Sequence, residues 1–369
     1  MVDQDKPQYE HLLYKHCEEK DADAIAWAFT SKSTMEKFPF KFPPLGPQEL
    51  RINVLYAGLC QSDVLTVRGK WGPVNYPIAP GHEIIGEVCM VGSEVKDFKI
   101  GDKVGFGTRR YCCGKCQCCI EGLENQCEIK PERMTYGKYW GGYATQMQQP
   151  ADHFFLLPDN FDLEKGAPLF CAGITTFSPM KKFLKPGMKT AVSGIGGLGH
   201  VAIKLLHNLG HHVTGITSSP DKKELILSLG ADDVICMNNE EDIKKGKNSF
   251  KFIISTLPTN KGFNTLIDFV APGGVFCQVG EPPNEDSTVP LGFGQLINKE
   301  IILTGSLVGT RSVIREMLKF CTEKSIYPMV ETFSFEDFPK AFNRLENERP
   351  KFRCVVNVKD FAEKNGWKK

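Results

Sequence analysis

The sequence predicts an α/β protein of two domains, a doubly wound parallel sheet and a β-rich domain that carries a cysteine lobe. Three observations lead there. The chain has 369 residues, too many for one ordinary core at about 150 residues per domain. From Lys189 it repeats strand, turn and helix, opening with "KTAVSGIGGLGHVAIKLLHNLGHHVTGIT", the alternation of a parallel sheet. Before that point, short β-prone runs alternate with glycines, and six cysteines interrupt them between Tyr111 and Cys127.

Taken in order, residues 1–22 form an N-terminal extension. In it "PQYEHLLYKHCEEK" has the spacing of a short amphipathic helix, with Tyr9, Leu12, Leu13 and Cys17 on one side and a possible partner as its reason; a frayed extension is the alternative. Residues 23–170 make the β-rich domain, from "ELRINVLYAG", "GHEIIGEVCMVG" and "FKIGDKVGFG" through the lobe at 112–127 to "GGYATQMQQPADHFFLLPD". A helical stretch, "LEKGAPLFCAGITTFSPMKKF", leads into the parallel sheet of residues 171–308, whose later buried strands are "FKFIISTL", "GGVFCQVG" and "EIILTGSL". Residues 309–369 offer two helices and a strand that return to the first domain.

Composition narrows the function. Lys plus Arg number 45 against 44 Asp plus Glu, a formal charge of +1, so no global field draws the chain to nucleic acid or an anionic membrane. A small-molecule partner is the expectation. No apolar run reaches the ~20 residues of a membrane span. The N-terminus lacks the charged-then-apolar layout of a signal peptide, so a cytoplasmic location is expected.

In a reducing compartment, 14 cysteines read as metal ligands and small hydrophobes before disulfides. Cys113, Cys116, Cys119 and Cys127 place three thiols on a tight chain and return a fourth from a short loop, the spacing of a four-thiolate zinc site. Disulfides or free thiols are the alternative. Four thiolates saturate zinc, so this ion would hold a loop together rather than perform chemistry. Cys112 and Cys118 are left over.

Gly194, Gly196 and Gly199 stand in G-x-G-x-x-G spacing after the strand "KTAV" and before a helix. In that context Gly194, Gly196, Gly197, Leu198 and Gly199 form a cradle for a dinucleotide pyrophosphate at a helix N-terminus. An NAD-preferring site would carry Asp or Glu at the end of the next strand. Here that strand ends "VTGITSSPDKK", and Ser218, Ser219 and Lys222 suit a 2′-phosphate, with Asp221 as a spoiler and a solvated turn as the alternative. NADP(H) is therefore favoured.

"GLCQSD", "GHEIIGEV", the Cys-x2-Cys-x2-Cys-x7-Cys lobe, "CAGITT" and "GIGGLGH", in this order, resemble the zinc-dependent medium-chain alcohol dehydrogenases, and within them the cinnamyl alcohol dehydrogenase branch. The resemblance spans about Ala24 to Asp360. It implies a GroES-like catalytic domain beside the Rossmann sheet, two zinc ions per chain, and a homodimer joined through the sheet edge at "EIILTGSL". It further implies that Cys60, His82 and Cys171 bind a catalytic zinc, with Glu83 against the metal and Asp63 orienting the imidazole. Ser62 would pass the alcohol proton, Thr175 would lie beside the nicotinamide, and Val279 and Gly280 would meet its carboxamide side. The implied activity is hydride transfer between NADP(H) and an aromatic or extended apolar alcohol or aldehyde.

The chain also departs from the branch. Gln61 and Leu65 replace two histidines of the usual proton path, and "KPERMTYGKYWGGYA" is shorter than the equivalent stretch at the substrate mouth. Trp71 and Phe293 are candidate apolar walls, with core packing the alternative for each. These departures leave room for a slow or silent member that serves as a structural component of a larger assembly.

Overall fold

A computed structural model describes residues 14–129, 132–134, 139–283, 288–289, 291–348 and 350–367. Tyr9, Leu12 and Leu13 of the expected N-terminal helix lie outside the described residues. The chain divides into two compact units, one of residues 1–171 with 329–369, the other of residues 172–328.

The long strand Glu49–Leu59 is the spine of the first unit. It pairs antiparallel with Ile84–Val91 on one side and with Arg353–Asn357 on the other, and Lys103–Phe106 and Phe154–Leu156 extend the sheet. Leu50, Ile52, Val54, Ile84, Val104, Phe106 and Val356 are fully or almost fully buried in one core. The spine alternates polar and apolar residues through Val54 and becomes apolar on both faces from Leu55 to Leu59, where it is covered on both sides. Arg109–Tyr111 and Glu132–Arg133 pair at the base of the cysteine lobe, whose described residues also include the short helix Gln117–Ile120 and the 3-10 turn Glu124–Gln126.

The N-terminal expectation needs correction where it can be seen. Lys15–His16 is a short strand that pairs with Met35–Lys41, not part of a helix running to Cys17. Tyr14 is buried against Phe40, Phe42 and Trp140, so aromatic packing and sheet pairing override the helical spacing.

The second unit holds a six-stranded parallel sheet. With strands numbered along the chain from Lys189–Ser193 to Ile302–Gly305, the order is 3-2-1-4-5-6, the dinucleotide-binding arrangement. Helix Arg311–Glu323 belongs to this unit. Its buried stripe of Ile314, Met317, Leu318 and Cys321 follows helical spacing, and Phe320 meets Phe177 of helix Ala172–Phe183 with ring centroids 5.9 Å apart. The return to the first unit thus falls at Met329 rather than at 309. The expected buried strand "EIILTGSL" is instead an exposed edge: Ile302 is 50% exposed, because no further strand among the described residues covers it.

Candidate active site

The first unit brings together Cys60, His82, Glu83 and Cys171, all buried, with one donor atom from each within 4.8 Å of the others. Pairing along the spine explains the convergence. Gly58 N–H donates to the Glu83 carbonyl, and Cys354 stands opposite Leu59, so Glu83 and Arg353 reach the end of the spine beside Cys60 from its two neighbours. A Cβ on Gly58 would lie 2.1 Å from Glu83 Oε2, and a Cβ on Gly105 would lie 1.9 Å from the ring of Phe170, the residue before Cys171. Both glycines are required by close approach, not by turn geometry.

Asp63 organises the centre. Its side chain reaches back to the Cys60 N–H at 3.1 Å and closes the first turn of helix Gln61–Val67. Its other oxygen accepts from Gly81 N–H at 3.2 Å and lies 3.0 Å from His82 Nδ1. That contact assigns the imidazole proton to Nδ1 and leaves Nε2, which is buried with no hydrogen-bond partner, facing the other donors. Ser62 Oγ lies 3.6 Å from Cys60 Sγ, and Leu65 is half-buried on the same helix.

The donor set fits zinc. Cys60 Sγ and Cys171 Sγ are 3.8 Å apart, the separation of about 3.8 Å that two ~2.3 Å zinc–sulfur bonds make at a tetrahedral angle. Two thiols and the Glu83 carboxyl face the guanidinium of Arg353, an excess of acid that a dication largely offsets. Without a metal the acids compete for protons. A hydrogen bond from Cys171 holds the Cys60 thiol well below its usual range and pushes Cys171 well above it. Burial pushes the Glu83 carboxyl up to about 8 against the pull of Arg353. At His82, burial opposes a charged ring, yet Asp63 and Cys60 outweigh it and raise the pKa.

The lobe is a second, separate donor set. Cys113, Cys116, Cys119 and Cys127 gather within the same limit, with Cys113 and Cys119 sulfurs 3.9 Å apart and those of Cys116 and Cys127 4.0 Å apart. These separations suit zinc bonds and are far beyond the ~2.05 Å of a disulfide. Backbone N–H groups of Cys116 and Lys115 point at Cys113 Sγ, and that of Cys113 at Cys127 Sγ. No disulfide joins the 14 cysteines, and Cys112 and Cys118 stand outside the donor set.

In the second unit the Gly-rich turn takes the form its spacing predicts. Gly194 has φ +85°, and a Cβ on Gly199 would sit 2.0 Å from the Gly194 carbonyl oxygen, whereas Gly196 faces open space. That space, beside Gly197 and Leu198 at the start of helix Gly199–Asn208, is where a pyrophosphate could approach the backbone. Lys222 extends its ammonium to 3.4 Å from the Ile195 carbonyl of this turn. Ser218 is exposed and Ser219 half-buried just past the strand His212–Thr217. Thr175 is buried on helix Ala172–Phe183, and Val279 and Gly280 follow the strand Val270–Gln278, with Gly280 packed tightly on the Thr256 carbonyl. Phe293 is 75% exposed, which excludes a core role for it, while Trp71 is half-buried.

Two residues of the centre escaped the sequence reading. Arg353 is 3% exposed and donates from Nη2 to Glu83 Oε1. Its signal is a lone arginine opening the apolar run "RCVVNV". Tyr143 is 1% exposed and donates its phenol proton to Asp63 Oδ2 at 2.6 Å; nothing in the string "GGYA" marks it as a partner of Asp63. Burial, then the Asp63 carboxylate, raise its pKa well above the usual phenol range.

Known proteins place this geometry in context. Residues 46–159 match the alcohol dehydrogenase GroES-like domain, and residues 197–323 match the zinc-binding dehydrogenase domain. An aldehyde reductase of Synechocystis sp. is 38% identical, the alignment covering 86% of this chain and 94% of that protein. A cinnamyl alcohol dehydrogenase structure from Sorghum bicolor superposes with TM-score 0.85 at 30% identity, covering 91% of this chain and 97% of that one. The CAD of Helicobacter pylori, solved with NADP(H), gives TM-score 0.82 at 33% identity, over 91% and 98%. With both halves matched by family and by fold, the chain belongs to the zinc-dependent medium-chain alcohol dehydrogenases, in their cinnamyl alcohol dehydrogenase-like branch.

Proposed function

We propose that this alcohol dehydrogenase is an NADP(H)-linked enzyme that interconverts aromatic or extended apolar primary alcohols and their aldehydes, with two zinc ions per chain. The observation that carries the reading is the buried convergence of Cys60, His82 and Cys171, two sulfurs and one free imidazole nitrogen, which leaves a fourth position for an oxygen ligand. When bound, zinc supplies Lewis acidity toward that oxygen, and the nicotinamide gives or takes the hydride.

The protein's own part is positioning and proton handling. Asp63 fixes the His82 tautomer, Ser62 takes or returns the hydroxyl proton, and Glu83 waits on Arg353 as an alternative ligand. Thr175, Val279 and Gly280 hold the nicotinamide, and the Gly194–Gly199 turn holds the pyrophosphate. Lys222, with Ser218 and Ser219, receives the 2′-phosphate; the reach of its ammonium to the turn and the lack of a carboxylate at the end of His212–Thr217 support NADP(H). The lobe cysteines hold the structural ion.

Self-association fits the second unit. Edge strand Ile302–Gly305 leaves Ile302 and Leu303 exposed, and Phe293 and Ile297 on the helix before it are 75% and 71% exposed, a liability that a second copy would cover. We therefore read the protein as a homodimer. A silent structural role has no physical use for an open donor set and is the weaker reading.

Zinc content per chain, followed by oxidation of NADPH and NADH with cinnamaldehyde and with aliphatic aldehydes, tests this. Two zincs and NADPH-linked turnover are expected. One zinc with no turnover would overturn it in favour of the structural role.

A further inference from the structure

We propose that Tyr143 is a positioning residue for the Cys60 centre: its phenol anchors Asp63, so that His82 is held with Nε2 aimed at a metal. This role rests on the metal-site reading above and extends it to a residue outside the expected ligands and their known partner.

Asp63 has two oxygens with divided duties. Oδ1 faces His82 Nδ1 at 3.0 Å and Gly81 N–H at 3.2 Å; Oδ2 faces Cys60 N–H at 3.1 Å and the Tyr143 hydroxyl at 2.6 Å. The phenol is the shortest of the four contacts and the only one made to Oδ2 from outside the helix turn that Cys60 begins. The Tyr143 hydroxyl also lies 3.5 Å from the Gly58 carbonyl, but a single O–H proton serves one acceptor at full strength, and the carboxylate is closer and charged. Without the phenol, one backbone amide on each oxygen is all that holds the Asp63 carboxylate toward the imidazole, and the restraint on its plane weakens.

The location of Tyr143 is built rather than incidental. Three glycines interlock beside His82: a Cβ on Gly141 would lie 1.9 Å from the Gly81 carbonyl, and a Cβ on Gly81 would lie 2.9 Å from both Gly142 N and the Tyr143 ring. Tyr143 N–H donates to the Pro80 carbonyl at 3.2 Å, Trp27 N–H donates to the Tyr143 carbonyl at 2.8 Å, and the ring packs on Phe338 at 4.7 Å. The strings "PGHE" and "GGYA" are thus two halves of one device, the first presenting the imidazole and the second bracing the carboxylate behind it.

The test is zinc release to a chromophoric chelator, 4-(2-pyridylazo)resorcinol, from the full-length zinc-loaded protein. Cys171→Ser identifies which release phase belongs to the Cys60 centre, because it retains only the lobe ion. Tyr143→Phe keeps the ring and its packing and removes one hydroxyl. Outer partners of metal ligands typically carry about 10–100-fold in metal affinity. The Cys60-centre phase should therefore accelerate by about 10-fold in Tyr143→Phe while the lobe phase stays unchanged. Asp63→Asn should accelerate the same phase, and the double variant should be no faster than Asp63→Asn alone, since Tyr143 acts through Asp63.

An unchanged Cys60-centre phase, equal acceleration of both phases, or additive effects in the double variant would each overturn the role of Tyr143. Wild-type protein that releases only the lobe ion would be a different failure, overturning the centre and the role built on it together.

Discussion

Replacing Arg353 by Met removes the only guanidinium that touches Glu83 among the described residues while keeping most of the side-chain volume. The pair is deeply buried, with side-chain exposures of 3% for Arg353 and 0% for Glu83. Breaking such a pair from one side leaves an uncompensated buried carboxyl and costs about 3–5 kcal/mol. In a unit of about 200 residues each kcal/mol moves the melting temperature by roughly 2–4 °C, so the metal-free variant should melt at least about 6 °C below wild type. Differential scanning calorimetry of chelator-treated protein measures this, with Glu83→Gln/Arg353→Met as the companion. The double variant should recover much of the loss, because no acid that has lost its partner is left in the site. Zinc should also recover part of it in the single variant, since a dication carries the sign of the lost guanidinium. A shift below about 2 °C in Arg353→Met, or a double variant that loses the sum of both singles, would refute the reasoning.

Three other outcomes follow from the same structure. Lys222→Glu should raise the KM for NADPH by about 10-fold or more with little change in kcat, since a hydrogen-bonded charge contributes about 1.5–3 kcal/mol, and the NADPH-to-NADH ratio of kcat/KM reads it directly. Leu65→His should alter the pH dependence of kcat by restoring an imidazole on the helix that carries Ser62; an unchanged profile would count against a proton path through this position. The hydrogen bonds from Arg344 hold the Glu331 carboxyl below its usual 4.5, so the unfolded chain takes up that proton first. The stabilisation is therefore present above about pH 4.5 and lost as pH falls further, and Glu331→Gln should flatten the acid-side decline of melting temperature by an amount typical of a surface pair, under about 1 kcal/mol.

What could be read from the sequence depended on how far apart the cooperating residues lie. The lobe was legible because its four sulfurs fall within fifteen positions, and the Gly-rich turn because strand, turn and helix are contiguous. Cys60, His82 and Cys171 were joined only through family resemblance, since no spacing rule links positions so far apart. Arg353 and Tyr143 were missed for the same reason: their partners are 270 and 80 residues away, and each sits in a string that otherwise reads as strand. The N-terminal segment failed differently. Helical spacing around Cys17 was real, but pairing of Lys15–His16 with Lys41 and Phe40 offered hydrogen bonds that an isolated short helix could not match. Helix Arg311–Glu323 was foreseen as a helix but assigned to the return segment, because its amphipathic stripe says that one face is buried and not which unit buries it.

The contrast in sequence span between the two donor sets also orders their assembly. Cys113 and Cys127 are 14 residues apart, Cys60 and Cys171 are 111 apart. Closing the longer loop costs about 1.8 kcal/mol more in chain entropy, by the logarithmic scaling of loop closure. The short loop can therefore capture its ion while most of the chain is still unstructured, whereas the long one must wait until the spine and its neighbours have paired. With two zincs per chain, as proposed above, a nascent chain would gain its lobe ion early and its Cys60-centre ion last, so metal scarcity during synthesis would yield folded, lobe-filled molecules that await only the final ion.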